Sequence, residues 1–219
     1  MPVTTQAQEV RVVIPVDWKE VKKVAESDPQ RIKDLVARLS ADKIDTTMTW
    51  KERILAYYGQ SYLTPNTEIK DGISLDQLMK IGNYEECLAK SKELLKTNPV
   101  SLKALSSAAF SISRMSKDST HHYNVSMEDG QVYFNRMFRI FNTIATTGNG
   151  SEDKPFYVTA VSDEYVFMRY YLELWEISQQ SYTGKLDIIE LKETSKYYNQ
   201  KKICFEVSRV TEIEMGLFQ

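Results

Sequence analysis

Along the first two thirds of the chain apolar residues recur every three or four positions, and along the last third they alternate with polar ones. The first spacing belongs to one buried helix face, the second to a half-buried strand. Asp17 is placed to cap a short helix bearing Trp18, Val21 and Val24. Asp28-Pro29 marks a second start, an N-cap followed by a residue whose fixed φ suits the first turn. Ile32, Leu35, Val36 and Leu39 stripe this second helix. Thr49 and Glu52 have capping-box spacing ahead of a helix with Ile54, Leu55 and Tyr58, which is predicted to stop at Gly59. Residues 60–73 read as a loop around Pro65-Asn66 and Asp71-Gly72, and a second box, Ser74 with Gln77, restarts the helix. Gly82-Asn83 interrupts it. Tyr84, Cys87, Leu88, Ser91, Leu94 and Leu95 form the next buried face, ended by Asn98-Pro99. Leu102, Leu105, Ala109 and Ile112 stripe another helix, and Phe134, Met137, Phe138, Phe141 and Ile144 mark the buried side of one over 131–145.

Gly148-Asn149-Gly150 closes the helical half. Beyond it Phe156, Val158 and Ala160 alternate, as do Trp175 with Ile177, Leu186 with Ile188, and Ile203 with Phe205 and Val207. A short helix near 162–172 starts at Ser162, with Asp163 and Glu164 where the helix dipole favours acids. Tyr182-Thr183-Gly184-Lys185 has the residues of a hairpin turn, and the polar stretch 194–201 joins the last two strands. Helices followed by β-α-β-β-β predict an α+β chain. In it a helical array over 16–147 packs on a mainly antiparallel four-stranded sheet with one short helix over 148–210. Tails at 1–15 and 211–219 flank one integrated domain, 16–210.

Composition changes this picture little. An apolar fraction of 42% and a charged fraction of 26% are ordinary for a globular chain of 219 residues, long enough for a sizeable core. A net charge of −2 gives no basic face for nucleic acid. No run approaches the roughly 18 apolar residues of a membrane span. Cys87 and Cys204 are too few for a disulfide scaffold or a zinc site, and each reads as a small buried apolar residue, the alternative being a single bridge. The small and polar N-terminal stretch, with Thr5-Gln6-Ala7 placed like a cleavage site, has the character of a signal-peptide remnant but lacks a basic start and an apolar core.

Candidate chemistry is sparse. The glycine-rich stretch 148–154 follows a helix C-terminus and carries Glu152 and Asp153, both of which repel phosphate. It reads as a C-cap and turn. His121 and His122, the only histidines, are adjacent and point apart on helix or strand, so they do not chelate one ion together. No metal or cofactor is implied, no catalytic residue is assigned, and the chain reads as a non-enzyme. Tyr57-Tyr58, Tyr170-Tyr171 and Tyr197-Tyr198 are adjacent pairs, which either turn one ring to solvent or a partner or pack at domain joints with their hydroxyls on backbone groups.

Two resemblances add to this. The stretch 75–115, with Gly82-Asn83-Tyr84, Cys87 and the terminal Asn98-Pro99, resembles a tetratricopeptide repeat, although the family's tryptophan and Leu-Gly pair are missing. About one and a half repeats are covered, too few for a free-standing array. Four segments, DTTMTWKERILAYYGQ (45–60), LLKTNPVSLKAL (94–105), TTGNGSEDKPFYVTAVSDEY (146–165) and KKICFEV (201–207), together resemble an uncharacterised domain-of-unknown-function family of exported Bacteroides-type proteins. That resemblance spans 16–207, and Asn149 stands where the family typically has an aspartate. It implies export, periplasmic or secreted, with the cytoplasm as the alternative; it implies no activity.

The expectation is therefore a monomeric, non-enzymatic scaffold of the bacterial cell envelope that binds a protein or peptide partner. Its expected surface is Tyr84, Lys90 and Lys92 with Tyr57 and Tyr58. The alternative is a small-ligand binder or enzyme with a pocket between helices and sheet near 148–165, at Asn149, Ser151, Glu164 and Tyr165.

Overall fold

A computed structural model describes residues 13–64, 67–121 and 123–217. The expectations for 1–12, for Pro65-Asn66 and for His122 lie outside them. The helical half opens with α1 (Trp18–Ser27), whose cap Asp17 accepts the N–H groups of Lys19 and Glu20. In α2 (Pro29–Ser40) the four predicted positions Ile32, Leu35, Val36 and Leu39 are all buried. The Thr49–Glu52 capping box forms and starts α3 (Trp50–Leu63). That helix does not stop at Gly59. A Cβ there would lie 2.6 Å from Ile32 Cδ1, so the glycine allows α2 and α3 to pack closely.

The predicted loop over 60–73 is also corrected, because α4 (Thr67–Lys80) begins within it. Ser74 is thus inside a helix, and its hydroxyl accepts a bond from Lys90 Nζ at 2.5 Å in place of capping. A turn with Gly82 at φ +74 leads to α5 (Tyr84–Thr97), capped by Asn83. Cys87, Leu88, Ser91 and Leu95 face inward from α5, between α4 and α6 (Leu102–Met115). The next helix, α7 (Met127–Thr147), starts earlier than expected because Ser126 and Asp129 form a second capping box. Phe138, expected inside, is 44% exposed, while Met137, Phe141 and Ile144 are buried.

The C-terminal half holds β1 (Phe156–Tyr157), α8 (Val161–Tyr170), β2 (Ile177–Tyr182), β3 (Leu186–Leu191), β4 (Lys202–Glu206) and α9 (Ser208–Leu217). This is the expected β-α-β-β-β order, with a helix where a tail was expected. The sheet order is β1-β4-β3-β2, antiparallel except for β1, which lies parallel to β4. Val158 and Ala160 are buried but lie past β1, which is only two residues long. Gly184 at φ +91 makes the β2–β3 hairpin turn, where Thr183 N donates to Leu186 O. The parity of β3 is the reverse of the expected one: Asp187, Ile189 and Leu191 are buried, and Leu186 and Ile188 only half-buried. The interior strand β4 is covered on both faces, so Cys204 and Glu206 are buried alongside Ile203 and Phe205. Trp175 is 57% exposed.

One core runs through both halves. Phe141 of α7, Phe167 of α8, and Phe156 and Phe205 of the sheet meet with ring centroids 5.0–6.3 Å apart, in edge-to-face or tilted arrangements. Such contacts add roughly 0.5–1.5 kcal/mol each beyond area burial. A smaller cluster of Leu88, Ala108, Ile112 and Met115 closes the outer side of α5 and α6. Cys87 and Cys204 are both free and buried.

Candidate functional site

The start of α8 is built around Asp163. Its carboxylate accepts bonds from the N–H groups of Thr159 and Ala160 (3.3 and 3.1 Å), from Thr159 Oγ1 (3.0 Å) and from Tyr57 OH (2.6 Å). These bonds tie α3 to the β1–α8 connection and supply one half of a capping box, the acid on the cap's N–H, whose other half Ala160 has no polar side chain to make. Burial pushes the Asp163 carboxyl up, against the Tyr57 and Thr159 bonds that favour its charge. Burial, and then the Asp163 charge, holds the Tyr57 hydroxyl protonated.

Outside this turn lies a cleft of about 370 Å³. One wall is Gly72, Ile73 and Asp76 of α4 with Lys103 of α6, the floor is Thr159–Ser162 with Tyr165, and the far wall is Val210, Ile213 and Glu214 of α9. Lys103 pairs with Asp76 at the rim; its side chain is only 16% exposed, that of Asp76 67%. Ile73 at 58% and Val161 at 39% leave apolar surface facing the opening. The Tyr165 hydroxyl donates to Gln180 Oε1 of β2 at 2.5 Å. Partial burial raises its pKa, which keeps the hydroxyl protonated as a hydrogen-bond donor.

The residues expected to share one pocket loop are divided. Asn149 and Ser151 line a separate open hollow of about 720 Å³ with Glu152, residues 197–202 and Cys204. There the backbone N–H groups of Asn149 and Gly150 donate to Lys154 O, and Ser151 Oγ lies 2.6 Å from both Asn149 Oδ1 and Asp153 Oδ1. The loop satisfies itself internally, as a turn does. Tyr165 belongs to the first cleft. Glu164 lines neither hollow; it is fully buried beneath the first, beside Asp187.

The expected partner surface is divided as well. Tyr57 and Tyr58 are 2% and 0% exposed and hold the core, where Tyr58 OH donates to Tyr157 O. Tyr84 and Lys90 are half-buried, Lys90 being tied to Ser74, and Lys92 is exposed. Of the three tyrosine pairs the last splits, with Tyr197 56% exposed and Tyr198 7%, while Tyr57 and Tyr58 take the packed alternative. His121 is exposed and stacks on Tyr123.

Sequence reasoning missed Ile73, Asp76, Lys103, Val210, Ile213 and Glu214. Val210 and Ile213, three positions apart across the start of the expected tail at 211–219, carry a helical spacing. Ile73 and Asp76 were hidden by the expected loop and capping box, and Asp187 gave no signal. Among the described residues no group of three or more His, Cys, Asp or Glu side chains is placed to hold a metal ion, and no helix is long and apolar enough to cross a membrane.

A family model described as a domain of unknown function (DUF4919) matches residues 22–216, from within α1 to within α9. The chain belongs to the DUF4919 family. The DUF4919 match includes every wall of the cleft and both partners of the buried Glu164–Asp187 contact. No curated protein matches the chain, and no solved structure does.

Proposed function

We propose that this DUF4919 protein is a non-catalytic binding protein, and that the cleft between α4–α6 and α8–α9 takes a small ligand with an apolar body and a polar end. The carrying observation is the cleft's make-up. At about 370 Å³ it has the size of a small-molecule site, and its apolar walls (Ile73, Val161, Val210, Ile213) converge on a few polar groups (Lys103, Ser162, Tyr165). In this reading the ligand's apolar part lies along α9 and its polar end reaches Lys103 and the Ser162 hydroxyl. Export to the cell envelope, expected from the N-terminal stretch, belongs to the same proposal. The helical face around Tyr84 and Lys92 has less to offer a protein partner, because the apolar positions of α5 pack against α4 and α6.

A thermal-shift screen of small amphipathic metabolites against the wild type and Ile73→Glu tests the reading. Ile73 is exposed, so the charge alters the cleft wall without reaching the core. Compounds that raise Tm in the wild type and lose at least about tenfold in affinity in the variant support it. Compounds that bind both proteins equally place the site elsewhere, and a screen without a single stabilising compound rejects it.

A further inference from the structure

Beneath the cleft lie two buried acids, Glu164 of α8 and Asp187 of β3. Glu164 is 0% exposed and Asp187 8%. Both Glu164 oxygens and Asp187 Oδ1 are buried with no donor among the described residues. Two carboxylates cannot bond each other without a proton, so the contact is closed only when one carboxyl carries it. Asp187 Oδ2 accepts from Gln180 Nε2 at 2.6 Å, and Gln180 Oε1 accepts from Tyr165 OH at 2.5 Å. A continuous path therefore runs from the buried acids through the β2–β3 hairpin to a residue that lines the cleft.

We propose that Glu164 and Asp187 form a proton-held latch between α8 and the β2–β3 hairpin, and that losing the proton frees the hairpin and, through Gln180 and Tyr165, reshapes the cleft. The two acids nearest Glu164 act in the same direction. Asp187 of β3 and Asp163 of α8 both oppose ionisation of Glu164. The Asp187 partner on β4 is Phe205, which does not titrate. From α3, Tyr57 bonds Asp163 and not Glu164. Arg169 of α8 lies 6.0 Å from the Tyr165 ring, and Lys103, Asp76 and Glu214 stand on the cleft side. Burial, then the Asp187 and Asp163 charges, pushes the Glu164 carboxyl up to about 9. The latch is thus closed at neutral pH and opens in alkali. Only its coupling to the cleft bears on the ligand reading; the latch itself stands without a ligand.

The test is ¹⁹F NMR of the full chain carrying 5-fluorotryptophan, titrated between about pH 6.5 and 10.5. Trp175 joins α8 to β2, with its ring 5.8 Å from Tyr170, and its resonance is assigned from Trp175→Phe. A reversible shift centred near pH 9 in the wild type, absent from Glu164→Gln, is the expected result. Asp187→Asn, which removes the neighbouring charge, moves the midpoint down by about one unit or more. A wild-type resonance that stays fixed, a transition kept by Glu164→Gln, or a midpoint unmoved in Asp187→Asn overturns the latch. The Ile73 methyl reports on the cleft, and is expected to move with the same midpoint in the wild type but not in Tyr165→Phe. A methyl that stays fixed while Trp175 moves rejects the coupling and leaves the ligand reading standing.

Discussion

The starts of α3 and α8 each place an acid three residues after the cap, and have opposite electrostatics. At α3, Glu52 accepts the N–H and hydroxyl of Thr49, and Arg38 reaches both Glu52 (3.2 Å) and Asp45 (2.8 Å) at the surface. Asp45 is lowered to about 2, first by the Thr47 hydroxyl bond and then by Arg38. At α8, Asp163 is buried with four bonds, and Glu164, one residue on, is buried with none. Water solvates the first group and is excluded from the second. Burial, and not the local motif, decides which form of a carboxyl a helix start favours.

The largest expected effect separates the two regions directly. Asp163→Ala leaves the Tyr57 hydroxyl and the Thr159 and Ala160 N–H groups without their acceptor, at a cost of about 3–5 kcal/mol. At about 2–4 °C per kcal/mol for a chain of this size, Tm falls by roughly 6–20 °C in calorimetry. Thr49→Ala, which breaks the α3 box, is expected to cost only about 1 kcal/mol. Equal losses in the two variants would erase the distinction.

Glu164→Gln comes next, and its sign depends on pH. In the fold Glu164 keeps its proton to about pH 9, whereas the unfolded chain releases it in the ordinary glutamate range. Between those limits the folded state holds the extra proton, so this group's stabilisation is full below the ordinary range and is lost as pH rises toward 9. Glu164→Gln is therefore expected to match the wild type near pH 4. Near pH 8 it should exceed it by on the order of 5 kcal/mol in urea denaturation. A variant less stable at both values contradicts the buried, protonated acid.

Asp45 supplies the opposite and smallest case. Its contribution is present above the ordinary aspartate range and is lost as pH falls toward 2. Because the Arg38 pair is exposed, raising salt from about 0.05 to 0.5 M should weaken it, while leaving the Asp163 and Glu164 effects nearly unchanged. Chemical-shift titration of the Asp45 carboxyl at the two salt levels checks this.

Most helix starts were legible because their determinants are local: Asp17, Asp28, Thr49 and Asn83 each cap a backbone N–H within three residues. The same locality misled at Gly59 and Ser74. A glycine and a capping pattern look alike whether they end a helix or serve its packing, and only Ile32 and Lys90, distant in sequence, decide between the two. For the candidate site, Tyr165 and the acids of α8 were visible as residues, but their roles were not. Asp187 reaches Glu164 only in the tertiary fold, and α9 faces α4 across the cleft only once both halves have packed.

The sequence by itself determined the α+β order, the main apolar faces of the helices and the hairpin at Gly184, because hydrophobic period, caps and φ preferences act over a few residues. Tertiary structure alone decided which acids are dry, which tyrosines are core and where a cleft remains. Desolvation and cavity shape depend on what packs from far along the chain, and no local pattern records that.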